Sequence, residues 1–120
     1  MKKIIAVIFL PLVLLSDPVL ILSRKGVETD AVSKSIIGGN YVRSQTGSIW
    51  IIGWWSKPDM SLIPNSSTHT NITVAQSAEL NFATLQKSVA ISGFTNFQDA
   101  LTALKLTPCT EDGTNIAENN

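Results

Sequence analysis

Histidine and cysteine, the residue types best suited to covalent chemistry, occur once each, as His69 and Cys109. A histidine base beside a cysteine raises the fraction of thiolate, the form that acts as a nucleophile. His69 lies in a polar stretch, however, Cys109 directly follows Pro108, and no third residue is in place to orient the pair. We therefore predict that the chain is not an enzyme. A small enzyme with Cys109 as its nucleophile is kept as an alternative.

The same two residues limit metal and disulfide chemistry. One histidine and one cysteine cannot supply the ligand set of a zinc site. A lone cysteine also excludes an internal disulfide and leaves an intermolecular one as the alternative for Cys109. We predict no metal ligands and no cofactor.

Gly38 and Gly39 follow two isoleucines and precede Asn40. A phosphate-binding loop continues into Lys-Ser or Lys-Thr and opens a helix, and neither feature follows here. The glycine pair is better interpreted as a bulge or tight bend in a strand.

Two Asn-x-Ser/Thr patterns, at Asn65 and Asn71, are interpreted as chance matches in a polar loop rather than as glycosylation sites.

Three tryptophans, Trp50, Trp54 and Trp55, lie among isoleucines. Successive residues of a strand point to opposite faces, so this run is apolar on both faces and needs cover on both. A core role is the first interpretation, and a surface for a partner or for lipid headgroups is the second. Together with Asp17, a carboxylate near the end of an apolar segment, they form the predicted set of membrane or partner contacts.

The elements that position these residues begin with an apolar segment over residues 4–22, preceded by Lys2 and Lys3. As a helix it would be about 28 Å long, close to the thickness of a bilayer core. The favourable insertion free energy of its aliphatic residues exceeds the unfavourable insertion free energy of Asp17. The sequence also has only poor matches to a signal-peptide cleavage site. We predict an uncleaved single-pass membrane anchor with the soluble part on the exported side. A cleaved signal is the alternative.

The remaining chain carries one hairpin pattern and two helical ones. Over residues 35–55, β-branched and aromatic runs flank a polar loop, which predicts a β-hairpin. Thr73 and Gln76 fit a capping box, and apolar residues then recur at helical spacing up to Val89. A second helical pattern runs from Thr95 to Lys105. The predicted fold class is α+β, with an N-terminal transmembrane helix, a short β-hairpin and a C-terminal helical hairpin.

The predicted organisation is a membrane anchor or uncleaved signal at 1–25, a linker at 26–34, a small α+β domain at 35–106 and an acidic flexible tail at 107–120. Beyond residue 25 the chain has five basic and eight acidic residues. It has no basic stripe to neutralise phosphates, so we predict no nucleic-acid partner.

These features predict a small membrane-anchored structural or assembly protein. It would act through protein–protein contacts in a membrane complex or in the membrane of a lipid-containing virion, with the bilayer and a protein partner or its own copies as partners. The alternative is a cleaved, secreted or periplasmic binding module that uses a tryptophan-rich surface.

Overall fold

A computed structural model describes residues 18–26, 31–57 and 63–116 of the chain. In chain order the strands are β1 (Val19–Arg24), β2 (Ile36–Arg43), β3 (Ile49–Trp55), β4 (His69–Thr73), β5 (Ser88–Ser92) and β6 (Thr107–Pro108). Two short helices, α1 (Val74–Ser77) and α2 (Phe97–Leu104), and a 3-10 turn, Ser33–Ser35, complete the described elements.

The six strands form one sheet in the order β4-β5-β1-β3-β2-β6. β4 and β5 are parallel, and every other neighbouring pair is antiparallel. The described part of the chain is therefore a mixed six-stranded sheet with two short helices. The predicted fold class, in which a transmembrane helix precedes one hairpin and a helical hairpin, is wrong.

β1 occupies the place where the sequence predicted the last part of a transmembrane helix. It pairs with β3 on one side and β5 on the other, and its first five residues are buried. A strand buried on both faces is apolar at successive positions, and so short a run cannot be distinguished from a helix by periodicity. Among the described residues, no helix has the length and apolar character needed to cross a bilayer. The predicted single-pass membrane location is corrected accordingly; residues 4–17 lie outside the described ranges.

The two helices cover one face of the sheet, which we call the helix face. Side chains of alternate strand positions meet them there in the larger hydrophobic cluster, whose buried members are Leu20, Leu22, Val42, Trp50, Ile52, Val89, Ile91, Phe94, Ala100, Leu104 and Leu106. The opposite face, the back face, carries a smaller cluster of Val19, Ile21, Val32 and Ala90, with Ile36, Trp55 and Ile63 packed against it. The sheet therefore has apolar cover on both faces, as a run apolar on both faces requires.

The predicted helical hairpin is present only in part. The capping box of Thr73 and Gln76 is confirmed, but the helix that it starts is four residues long. Val89, which the helical spacing assigned to a helix face, is fully buried in β5 between β1 and β4. The helical spacing of apolar residues continued into β5, but pairing of this β-branched stretch with its neighbouring strands determines its conformation.

α2 forms close to its predicted position, with a different cap. Asn96, not Thr95, is the N-cap, and its side chain accepts a hydrogen bond from the Asp99 backbone N–H. Lys105 ends the helix in the left-handed conformation at φ 59°. The region predicted as a flexible acidic tail is also structured in part, because it contains β6 and a bridge between Cys109 and Asn115.

Candidate functional site

The outer edge of β2 is paired over only part of its length. β6 is two residues long and pairs with Val42 and Arg43 only. Next to this pair, the Cys109 N–H donates to the Tyr41 carbonyl at 3.1 Å. No strand of the described part of the chain pairs with the outer edge of β2 at residues 36–40, which we call the free edge.

A bulge shapes the free edge. The pairing of β2 with β3 shifts register between Ile37 and Asn40, and Gly38 has a φ of +65°, a conformation that glycine adopts without strain. The bulge predicted from the glycine pair is confirmed. Opposite it, β3 has Gly53, where a Cβ would lie 2.1 Å from Ile36 Cγ2 and 2.7 Å from the Ile37 carbonyl oxygen. The Ile36 side chain and the Ile37 carbonyl therefore occupy the space that a side chain at position 53 would need.

The free edge borders an apolar cavity of about 320 Å³. The cavity lies on the helix face, and its walls come from β2, β3, α2 and the segment after β6. Its lining includes Gly39, Ile52, Phe97, Leu101, Cys109 and Ile116. Its volume falls within the range of about 300–1,000 Å³ that is typical of ligand clefts.

Two large apolar side chains are exposed beside this cavity. Ile37, on the free edge, is 53 % exposed, and Ile116, in the cavity wall, is 49 % exposed. They are the large hydrophobic residues with the highest exposure in the described part of the chain. Exposed apolar side chains grouped around a cleft are typical of an interaction site.

Cys109 lines the cavity but is poorly suited to act as a nucleophile. It is buried, and burial raises the pKa of its thiol against the opposing influence of the Arg43 guanidinium. Arg43 itself donates to the Gly113 carbonyl at 3.2 Å and to Asn115 Oδ1 at 2.6 Å. The thiol is therefore mostly protonated at neutral pH, and the thiolate is the reactive form.

The structure separates His69 from Cys109. His69 lies in β4, at one edge of the sheet, and Cys109 follows β6 at the other edge. With strands about 4.8 Å apart, roughly 24 Å of sheet lies between the two edges. The two residues do not form a Cys–His pair.

His69 is instead held in a buried polar arrangement. It is 2 % exposed, and its Nε2 donates to Asn71 Oδ1 at 2.5 Å. The Asn71 amide nitrogen donates in turn to the Ile63 carbonyl, which orients the amide and so assigns the proton to Nε2. The Asn71 nitrogen that a glycan would occupy is therefore engaged. Within the described ranges, His69 Nδ1 has no hydrogen-bond partner.

Sequence reasoning did not find a group of three buried hydroxyls on the back face. Ser23 in β1, Ser33 in the 3-10 turn and Ser88 in β5 hydrogen bond to one another, with Ser88 Oγ 3.1 Å from Ser23 Oγ and 3.0 Å from Ser33 Oγ. Mutual hydrogen bonds satisfy hydroxyls that would otherwise be costly to bury. The group joins the 3-10 turn to the centre of the sheet.

The predicted tryptophan surface is divided by the sheet. Trp50 is fully buried on the helix face, where it meets the Phe82 ring edge-to-face at 5.2 Å and donates from Nε1 to Ser48 Oγ at 2.9 Å. Trp54 is half-buried on the same face and stacks on Phe97 at 5.0 Å. Trp55 packs with the back-face cluster. Asp17, the fourth predicted contact residue, lies outside the described ranges.

Comparison of the chain with protein-family models, with curated proteins and with solved structures finds no match. Among the described residues, no group of three or more His, Cys, Asp or Glu side chains is placed to hold a metal ion. The candidate site is therefore defined by this structure alone, as an unpaired strand edge beside an apolar cavity.

Proposed function

We propose that the chain is an assembly protein that joins a partner by pairing an extended segment along the free edge. The observation that carries the proposal is the combination, on one edge, of an unpaired strand, an apolar cavity and the exposed Ile37. Strand addition uses all three, because backbone hydrogen bonds provide affinity and pockets for alternate side chains provide specificity.

The composition of the free edge supports this function. Monomeric proteins protect edge strands with charged residues, proline, β-bulges or cover from a loop. Of these, the free edge has a bulge, at Gly38. Residues 36–40 include no charge and no proline, and Gly38 to Asn40 are exposed. The glycines also present no side chain to an approaching backbone, so a segment can pair closely. Apart from the bulge, residues 36–40 have no charge or proline that would hinder pairing with another chain.

The tryptophans support the alternative of a tryptophan-rich binding surface less well. A ligand face needs accessible rings that share one side, whereas Trp50 is buried and Trp54 and Trp55 lie on opposite faces of the sheet. Trp54 comes near the cavity beside the free edge through its stacking partner Phe97, which is part of the cavity wall.

The test is selection of peptides from a random library displayed on phage. The wild-type chain is compared with Ile37→Lys, which places a charge on the free edge, and with Ala83→Lys, which adds the same charge at an exposed turn elsewhere. We expect peptides with alternating apolar residues that bind the wild type and Ala83→Lys and at least tenfold more weakly to Ile37→Lys, because a tenfold change needs only about 1.4 kcal/mol.

Amide hydrogen exchange locates the bound peptide. The proposal expects protection of the amides at residues 36–40 when a selected peptide is added. Peptides that bind all three proteins equally, or protection confined to another part of the sheet, would show that the free edge is not the binding site.

A further inference from the structure

The described residues that line the cavity beside the free edge carry no charge. They are mostly apolar and include Ile52 in β3 and Phe97 and Leu101 in α2. Another cavity, of about 380 Å³, lies between the turn after β2 and the end of α2, and it has Asn81 and Lys105 in its wall. A charged occupant of the cavity beside the free edge would lose its hydration without gaining a counter-charge, which is costly. These walls therefore favour an uncharged occupant.

Two polar groups in the same walls already have hydrogen-bond partners. The Asn40 side-chain nitrogen donates to the Gly38 carbonyl at 3.3 Å, and the Cys109 backbone N–H donates to the Tyr41 carbonyl at 3.1 Å. A buried water typically makes two to four hydrogen bonds, so water is held weakly where polar groups are few and already engaged. An apolar molecule that displaces such water gains affinity.

The walls are formed before any occupant enters. The Phe97 ring stacks on Trp54 with the ring centroids 5.0 Å apart. The Ile116 N–H donates to the Pro108 carbonyl at 3.3 Å, which ties the segment after β6 to the sheet. A preformed site avoids the cost of ordering side chains and loops on binding. A small molecule, which makes few contacts, can therefore bind without first ordering the site.

The size of the cavity limits the occupant further. An apolar cavity of about 150 Å³ lined by Leu, Ile and Phe binds benzene, and the cavity here is roughly twice as large, at about 320 Å³. We infer that this cavity binds a small, uncharged and mainly apolar molecule of one or two rings. Such binding needs no partner at the free edge, so it goes beyond the proposed function.

The first experiment titrates the full chain with toluene and follows the backbone amide signals by NMR. Toluene is expected to give saturable shifts at Ile52, Leu101 and Cys109, which line the cavity. Benzoate is the matched probe, because it has the same ring with a carboxylate in place of the methyl group. It is expected to give no saturable shift at these residues, since the uncharged walls offer no partner for its charge.

The second experiment uses the single cysteine as a reporter, because Cys109 lies in the cavity wall. Bound toluene is expected to slow its reaction with iodoacetamide, and by mass action the rate should fall to about half when the free toluene concentration equals its Kd. The unfolded chain in denaturant is the control, and toluene should leave its rate unchanged.

Two tryptophan substitutions on α2 test the location of the site. Leu101→Trp places a larger side chain in the cavity wall and is expected to abolish toluene binding, because it takes up the volume that toluene would fill. Ala103→Trp adds the same side chain at an exposed position of the helix, beside the other cavity, and should bind toluene as the wild type does. Circular dichroism checks that both variants are folded. If Leu101→Trp does not fold, the comparison of toluene with benzoate on the wild type decides alone.

Several results would overturn the inference. They are the absence of saturable shifts with toluene, equal binding of benzoate, shifts confined to residues outside the cavity, an alkylation rate that saturating toluene leaves unchanged, and unaltered binding in folded Leu101→Trp. The peptide selection tests the proposed function separately. A chain that binds toluene in the cavity but selects no peptide along the free edge would support the inference and contradict the proposed function, and the opposite pair of results would do the reverse.

Discussion

At the scale of single residues, burial decides which side chains are available for function. Trp50, predicted as a contact residue, fills the core of the helix face, whereas Ile37 is the most exposed of the large apolar residues described. Cys109 is buried in a cavity wall, and His69 lies at the far edge of the sheet. The two residues with the most reactive side chains are therefore buried and far apart, and the candidate site is lined mainly by apolar side chains and backbone.

Replacing Trp50 by Ala is expected to lower the free energy of unfolding by about 3–5 kcal/mol, since a fully buried aromatic side chain leaves a cavity. The matched control is Trp55→Ala. Its side chain is only partly buried, which predicts a smaller loss of about 1–2 kcal/mol. Urea unfolding followed by circular dichroism measures both values. Equal losses of unfolding free energy in the two variants would contradict the conclusion that Trp50 belongs to the core and Trp55 does not.

The reaction of Cys109 with iodoacetamide is expected to be slow at pH 8, because burial raises its thiol pKa and limits access. As pH rises, the rate should keep increasing beyond the range in which an ordinary thiol has already ionised. The unfolded chain in denaturant is the reference and should react faster at every pH. If the reaction rate of the folded chain stopped increasing at a pH below the ionisation midpoint of the thiol in the unfolded chain, the raised pKa of Cys109 would be contradicted.

At the scale of elements, β1 joins the two parts of the sheet. It lies between β5, which pairs with β4, and β3, which pairs with β2 and through it with β6. It is also the element that sequence patterns identify least well. Four consecutive apolar residues, from Val19 to Leu22, fit a buried strand and the end of an apolar helix equally, and only the pairing with β3 and β5 distinguishes them.

Two shortened chains test the role of β1. A chain that starts at Asp17 keeps the whole of β1 and is expected to fold and to unfold cooperatively. A chain that starts at Val32 lacks β1, so the two parts of the sheet lose their common neighbour and the buried apolar surface of β3 and β5 is uncovered. Circular dichroism and thermal unfolding compare them. Cooperative unfolding of the shorter chain would refute this role.

At the scale of the whole molecule, local patterns predicted local features and missed the topology. The β2–β3 hairpin, the bulge at Gly38 and the capping box at Thr73 depend on residues near one another in the chain, and all three are present. The free edge is different. It arises because β6 pairs with Val42 and Arg43 alone, so that no described strand pairs with the outer edge of residues 36–40. No pattern within those residues predicts which strand will be their neighbour.

The central place of β1 has a consequence for synthesis on the ribosome. The Ser23 and Ser88 hydroxyls that meet across β1 and β5 are 65 positions apart. At translation rates of about 5–20 residues per second, roughly 3–13 seconds separate the emergence of the two strands. During that interval Val19 to Leu22 have no partner on one side, and the late closure of so long a loop also slows folding. The nascent chain therefore presents the apolar residues of β1 to any chaperone at the tunnel exit before the sheet can form.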